Sequence, residues 1–252
     1  MRHAIVTAGT KGLGKKMTEA LLTKGYSVTA TYRSDREKAE ALLDELAEYQ
    51  HRLHIVQLDT MDVSSINEAV DQAYEKFGRV DSLISNAGPY IFERKKLFDY
   101  TDQEWNEMVR GNLDASFYLL KRCLPIMRKQ QYGRIVFLGF QGVDHSSGWI
   151  YRSAFASAKV GLASLMKTVA LEEAENRITA NMIAPGKIVD DMKEADIVNA
   201  REITETETPI GRPGTGEDIA RVVSHLSDED SDMITGTVVE VTGGLDVIHR
   251  HL

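Results

Sequence analysis

The chain has 252 residues, 42% of them hydrophobic, with a formal net charge of −8 and a pI near 5.4. That length supports one sizeable core, and the acidity leaves no basic footprint of the kind a nucleic-acid surface needs. One cysteine, Cys123, excludes an internal disulfide; with an N-terminus entering an apolar strand directly and no apolar run near the ~20 residues of a bilayer span, it predicts a cytoplasmic chain without membrane attachment.

Apolar runs and amphipathic stretches alternate almost throughout. HAIVT (3–7) reads as a short buried strand, and residues 14–25 have helical spacing that stops at Gly25. The β-branched segment 26–32 predicts a second strand. Residues 35–50 form a charged helix with Leu42, Leu43 and Leu46 on one side, followed by a strand over 53–59. A helix over 64–78 and a strand over 80–88 come next, then a long helix over 102–131 and a strand over 133–139. A further helix spans 153–175, with a strand over 178–186 behind it. After an irregular acidic stretch (190–208), a helix over 216–228 and a strand over 236–244 close the pattern. Strands separated by helices pair in parallel. The expected architecture is therefore α/β: a single domain over 1–252, a Rossmann-type doubly wound parallel sheet with helices on both faces. No repeat, linker or low-complexity segment interrupts it.

The stretch TAGTKGLGKK (7–16) lies between the first strand and the first helix. Glycines there let backbone approach a pyrophosphate, and the helix N-terminus offers unpaired N–H groups and a positive dipole end. A glycine cluster also serves merely to turn a chain. Its place after an N-terminal strand of an alternating α/β chain favours dinucleotide binding.

The turn resembles the Thr-Gly-x-x-x-Gly-x-Gly signature of the short-chain dehydrogenases/reductases, with Thr7, Gly12 and Gly14 in place. Ala8 stands where the first motif glycine falls, and Gly9 follows it. SNAG (85–88) is similar to the family's Asn-Asn-Ala-Gly, NMIAPGKI (181–188) to its Pro-Gly segment, and PIGRPGTGEDIA (209–220) and ITGTVVEVTGG (234–244) to its C-terminal segments. The resemblance, nearest the acyl-carrier-protein reductases, implies cofactor contacts from Thr7, Gly9, Lys11, Gly12, Leu13, Gly14, Asn86, Ala87, Gly88, Pro185, Gly186 and Ile188. Asp59 and Thr60 would sit by the adenine.

An NAD-preferring site places an acid about 20 residues past the glycine turn. This chain instead has Thr31, Tyr32, Arg33 and Ser34 in that region. Lys11 and Arg33 are cations at positions where NADP-preferring relatives carry them, so NADP(H) is expected over NAD(H). The plain alternative is that both are solvated surface cations.

At the reacting end, the resemblance implies a tyrosine proton donor, a lysine four residues later that binds ribose, a carbonyl-orienting serine and an asparagine that anchors a relay water. Lys159 and Asn112 are kept, but Phe155 takes the tyrosine position, and Gly139 and Phe140 stand where the serine falls. Asp190 replaces a threonine often found after Pro-Gly. Losing the general acid costs ~10²–10⁴ in rate. Tyr151, separated from Lys159 by the seven residues RSAFASA, is the replacement carried as a catalytic candidate beside Asn112 and Lys159. In a continuous helix it would lie ~12 Å back along the axis and ~80° around it, so it would serve only if a loop brought it inward. The loop 140–152 adds His145, beside Asp144, Ser146 and Ser147, as a lesser donor; a loop histidine is more often simply solvated. No metal-ligand spacing is present, and Cys123 reads as a packing residue.

Two functions remain open: an NADP(H)-dependent oxidoreductase for a carbonyl or enoyl substrate, with Tyr151, His145 or water as proton source, or a catalytically silent NADP(H)-binding protein with a sensing or structural role. A scaffold without cofactor ranks below both. By resemblance, the long helices 102–131 and 153–175 face partner subunits, implying a homodimer or homotetramer.

Overall fold

Strand β1 (His3–Val6) is completely buried, and so is every residue of β4 (Ser82–Ser85) and β5 (Gly133–Leu138), as parallel strands covered on both faces require. In the computed structural model, which describes residues 1–245, these join β2 (Ser27–Tyr32), β3 (Leu53–Gln57), β6 (Ile178–Pro185) and β7 (Val238–Val241) in one seven-stranded sheet. Residues 246–252, the end of the expected domain, lie outside the described residues. All neighbours pair in parallel, in the order β3-β2-β1-β4-β5-β6-β7.

Helices cover both faces: α1 (Gly12–Thr23), α2 (Arg36–Glu45) and α8 (Gly216–Leu226) on one, α3 (Val63–Phe77), α4 (Asp102–Val109), α5 (Ala115–Gln130) and α6 (Ser153–Glu172) on the other. A one-turn α7 (Ile197–Ala200) lies in the acidic stretch before α8. Side chains divide between two cores by the two-residue period of a strand. Ile135 and Phe137 enter the core under α3, α5 and α6, whereas Val136 and Leu138 enter the core under α1 and α8. Each fully buried apolar side chain of this size contributes ~1.5–3 kcal/mol. Local signals set the helix ends: Asp62 accepts from Ser64 N at 2.8 Å at the start of α3, and Gly78 closes it at φ +70°.

Two expectations need adjustment. The long helix over 102–131 is continuous, but its middle, Arg110–Asp114, widens into a π-turn between α4 and α5. Gly111 lies in that turn, and a Cβ on it would meet Pro89 Cδ at 2.4 Å. Second, α6 has the length and apolar composition of a bilayer span, contrary to the expectation that no segment does. Here it is a core helix: Ala154, Ala158, Leu162, Met166 and Val169 are buried.

The chain leaves β1 in one direction to build β2 and β3, then returns to start β4 on the other side. Where the strand order reverses, the loops after β1 and β4 part and leave a crevice at the carboxyl ends of the strands. The candidate site lies there.

Candidate active site

The floor of the crevice is backbone, fixed by close contacts. Thr7 Oγ1 accepts from the backbone N–H groups of Asn86 at 2.9 Å and Ala87 at 2.8 Å, and Asn86 Nδ2 donates to Thr7 O at 3.0 Å. These bonds stitch the end of β1 to the end of β4. Gly9 N donates to Thr31 O at 2.9 Å, and Thr18 Oγ1 donates to Gly9 O at 2.9 Å. A Cβ on Gly9 would meet Val6 O at 2.8 Å, and one on Gly14 would meet Ala8 O at 1.9 Å. Both positions exclude any larger residue. Ala8 adopts φ +50°, the left-handed region that an L-residue enters at a cost of ~1 kcal/mol, in the position the resemblance assigned to glycine.

The amide at the head of α1 already holds an anion. Gly12 N donates to the Glu194 carboxylate at 2.6 Å, and Lys15 Nζ lies 3.6 Å from the same carboxylate. Glu194 oxygens stand in for phosphate oxygens at a helix N-terminus, so the turn fits a pyrophosphate. Beyond β2, Arg33 is exposed, and Lys11 Nζ lies 3.3 Å from Asp35. Asp35 thus gives Lys11 an acidic partner, while Arg33 pairs with no carboxylate among the described residues. Asp35 also accepts from Lys38 N at the head of α2. Asp59 and Thr60 are half-buried just after β3, with Asp59 Oδ1 accepting from Met61 N at 2.9 Å.

From the turn, a cleft of about 790 Å³ runs past Leu13, Asn86 and Gly88, then Pro185, Gly186 and Ile188, to Asn112 and Lys159. Asn112 sits in the π-turn, 1% exposed; its Nδ2 donates to Pro89 O and Met108 O, both at 3.0 Å. Its Oδ1 is buried with no donor among the described residues, and a Cβ on Gly88 would lie 2.2 Å from it. A buried acceptor without a donor beside a cleft-lining glycine is a place for an incoming donor or water. Lys159 is 4% exposed on α6 and pairs with no carboxylate among the described residues. Desolvation lowers its pKa from 10.5 to about 8. Its Nζ lies 5.6 Å from the centroid of the Phe155 ring, one helical turn earlier. An unpaired buried ammonium and an unpaired amide oxygen together fit a hydroxyl-rich ligand such as a ribose.

The far wall is aromatic. The centroid of Phe155 is 5.0 Å from that of Tyr90, 6.0 Å from Trp149 and 6.2 Å from Phe140, and Tyr90 meets Phe92 at 5.0 Å. No hydroxyl occupies position 139 or 140: Phe140 is 6% exposed, and a Cβ on Gly139 would press on Met182 Sδ at 2.6 Å.

Tyr151 is not brought to this wall. It sits at φ +65° just before α6 begins, and Arg94 Cζ lies over its ring at 4.7 Å, so the ring does not line the cleft. The turn ahead of the helix carries its ring away from Lys159. His145 is exposed in a short 3₁₀ turn and also stays outside the lining, with neighbouring Asp144 bound to Lys167. Tyr90, on the loop after β4, does line the cleft beside Arg152, Nε to Oη 2.6 Å. Sequence reasoning missed this pair, because 62 residues separate its members and neither belongs to a recognised motif.

A doubly wound sheet whose crevice joins a phosphate-fitting turn to a buried lysine defines a dinucleotide-fold protein. The family model for enoyl-(acyl carrier protein) reductase matches residues 7–246. The chain is 58% identical over 252 residues to the oxidoreductase-named YtkK of Bacillus subtilis (strain 168), covering 100% of this chain and 99% of that one. It is 35% identical over 242 residues to the 3-oxoacyl-[acyl-carrier-protein] reductase FabG of Haemophilus influenzae, covering 96% and 97%. A solved Bacillus thuringiensis structure, described as a 3-oxoacyl-reductase, superposes with a TM-score of 0.93 at 58% identity over 99% of this chain and 100% of that one. The chain belongs to the short-chain dehydrogenase/reductase family, a family of oxidoreductases.

Proposed function

We infer that the protein is an NADP(H)-dependent oxidoreductase for a carbonyl or enoyl substrate, with a reaction centre that lacks the usual tyrosine and serine. The observation that carries this reading is Lys159, a buried ammonium with no carboxylate partner among the described residues, in a cleft that begins at Leu13 beside the glycine turn. Gly9, Gly12, Leu13 and Gly14 would hold the pyrophosphate, Lys159 the ribose, and Pro185, Gly186 and Ile188 the nicotinamide end, with Asn86, Ala87 and Gly88 on the opposite side. Arg33 and Lys11 would face a 2′-phosphate, and Asp59 and Thr60 the adenine. The bound dinucleotide would supply the hydride. The chain's part is to orient the substrate against the aromatic wall, keep water out and deliver a proton. The names of the relatives support a 3-oxoacyl-type substrate; cytoplasmic location and homo-oligomeric assembly belong to the same proposal.

The test is calorimetry with NADPH and NADH, then NADPH oxidation with 3-oxoacyl thioesters, enoyl thioesters and simple ketones. NADPH is expected to bind at least tenfold more tightly than NADH, and at least one substrate class to be reduced. Absence of dinucleotide binding would sink the reading. A silent NADP(H)-binding protein is the second reading, favoured by the phenyl rings of Phe140 and Phe155 where relatives carry hydroxyls. It requires binding without oxidation of NADPH by any substrate.

A further inference from the structure

The proton source follows from the hydrogen bonds around Tyr90. Arg152 Nε donates to Tyr90 Oη at 2.6 Å, while its terminal nitrogens donate to the backbone oxygens of Phe92 at 2.9 Å and of Glu93 and Tyr151 at 2.8 Å each. A guanidinium has donors only, so Oη is the acceptor of this bond and its own hydrogen points elsewhere. Among the described residues Oη donates to no acceptor, and the ring lines the cleft in edge contact with Phe155. The guanidinium itself is tied by carbonyls and meets no carboxylate among the described residues. Its charge therefore remains available to the phenolic oxygen. The loop is anchored at its root, since Pro89 O accepts from Asn112 Nδ2 at 3.0 Å and the Pro89 ring fits the space left by Gly111.

We propose that Tyr90, oriented by Arg152, donates the proton to the oxygen of a ketone substrate; this rests on the oxidoreductase reading above. A bound reduced dinucleotide would supply the hydride for the new C–H bond, and the π pair of the C=O bond would move onto oxygen. That oxygen takes the proton from Tyr90 Oη. The products are the alcohol, the oxidised nicotinamide and a phenolate beside Arg152, which recovers its proton from water. Arg152 acts through Tyr90 and is a positioning residue. The arrangement supplies from the β4 loop the hydroxyl that α6 lacks at position 155.

The experiment compares wild type, Tyr90→Phe and Arg152→Gln in two measurements. In the first, calorimetry follows binding of the N-acetylcysteamine thioester of acetoacetate to NADP⁺-loaded protein, where no reduction takes place. Tyr90→Phe is expected to weaken that binding about tenfold, the loss of one hydrogen bond, with NADP⁺ affinity unchanged. In the second, NADPH-dependent reduction of the same thioester should lose at least ~10²-fold in kcat in Tyr90→Phe. Arg152→Gln should lose roughly tenfold or more in kcat with KM within about threefold, a split that mere loosening of the loop would not produce. A wild type that fails to bind dinucleotide overturns both readings. Dinucleotide binding with equal thioester affinity in wild type and Tyr90→Phe, or kcat kept within about threefold in Tyr90→Phe, overturns the Tyr90 assignment alone. Melting temperatures close to wild type exclude misfolding as the cause.

Discussion

Between Gly9 and Gly14 the wall of the cleft is main chain, packed so tightly that a single methyl group would collide with a carbonyl oxygen 1.9 Å away. Between Tyr90 and Phe155 the wall is a set of aromatic side chains with centroids 5.0–6.2 Å apart around an open volume. At Gly9 and Gly14 the first end leaves no room for a Cβ. The second is built from side chains, with the phenyl rings of Phe140 and Phe155 packed into it. The two ends differ because backbone packing fixes the first and side-chain packing the second.

Four changes break or sharpen this contrast, in decreasing order of expected effect. Gly14→Ala places a methyl group against Ala8 O and should cost about 3 kcal/mol or more in urea unfolding, with NADPH binding lost. Unfolding within 1 kcal/mol of wild type, on the order of experimental error, would show the rigid end to be softer than its contacts imply.

Lys159→Met tests the junction of the two ends. The lysine's folded pKa of about 8 lies below its ordinary 10.5, so between those values the unfolded chain binds more protons than the folded one. Stability therefore rises with pH across that window, and below it the buried charge costs on the order of 3 kcal/mol. Methionine removes the charge. The ligand-free variant should be about 1–3 kcal/mol more stable than wild type at pH 7, without the rise above pH 8, and should bind NADPH about 10–100-fold more weakly. Denaturant midpoints across pH and calorimetry read both effects; a variant that loses stability at pH 7 contradicts the account.

Glu194→Ala removes the carboxylate that already satisfies Gly12 N, an anion any pyrophosphate must displace. NADPH should bind about 3–10-fold more tightly, as expected for one charge-assisted hydrogen bond no longer competing. Ala8→Gly is the smallest. It relieves the left-handed strain but gives the unfolded chain more freedom, for a net gain of about 0.5 kcal/mol in urea midpoint analysis with unchanged NADPH affinity.

Much of the glycine turn was legible in the chain itself. Thr7, Gly9, Gly12 and Gly14 lie within eight consecutive residues, and the strand before them and the helix after them carry strong local periodicity. At the other end the chain offered only Phe155 and Phe140 at positions where the resemblance implied hydroxyls. Tyr151 looked nearest to Lys159 along the chain, yet the turn at φ +65° takes its ring under Arg94. Tyr90 belongs to a loop without periodicity, so nothing local announces its direction.

From residue order alone came the alternation of strand and helix, hence the parallel sheet, and the glycine turn at its head. Those properties depend on spacings of two to four residues, which the backbone enforces wherever it runs. Folding in three dimensions decided that Arg152 meets Tyr90 across 62 residues and Glu194 meets Gly12 across 182. Such meetings depend on the paths of whole loops over a packed sheet, and no short-range pattern encodes a path.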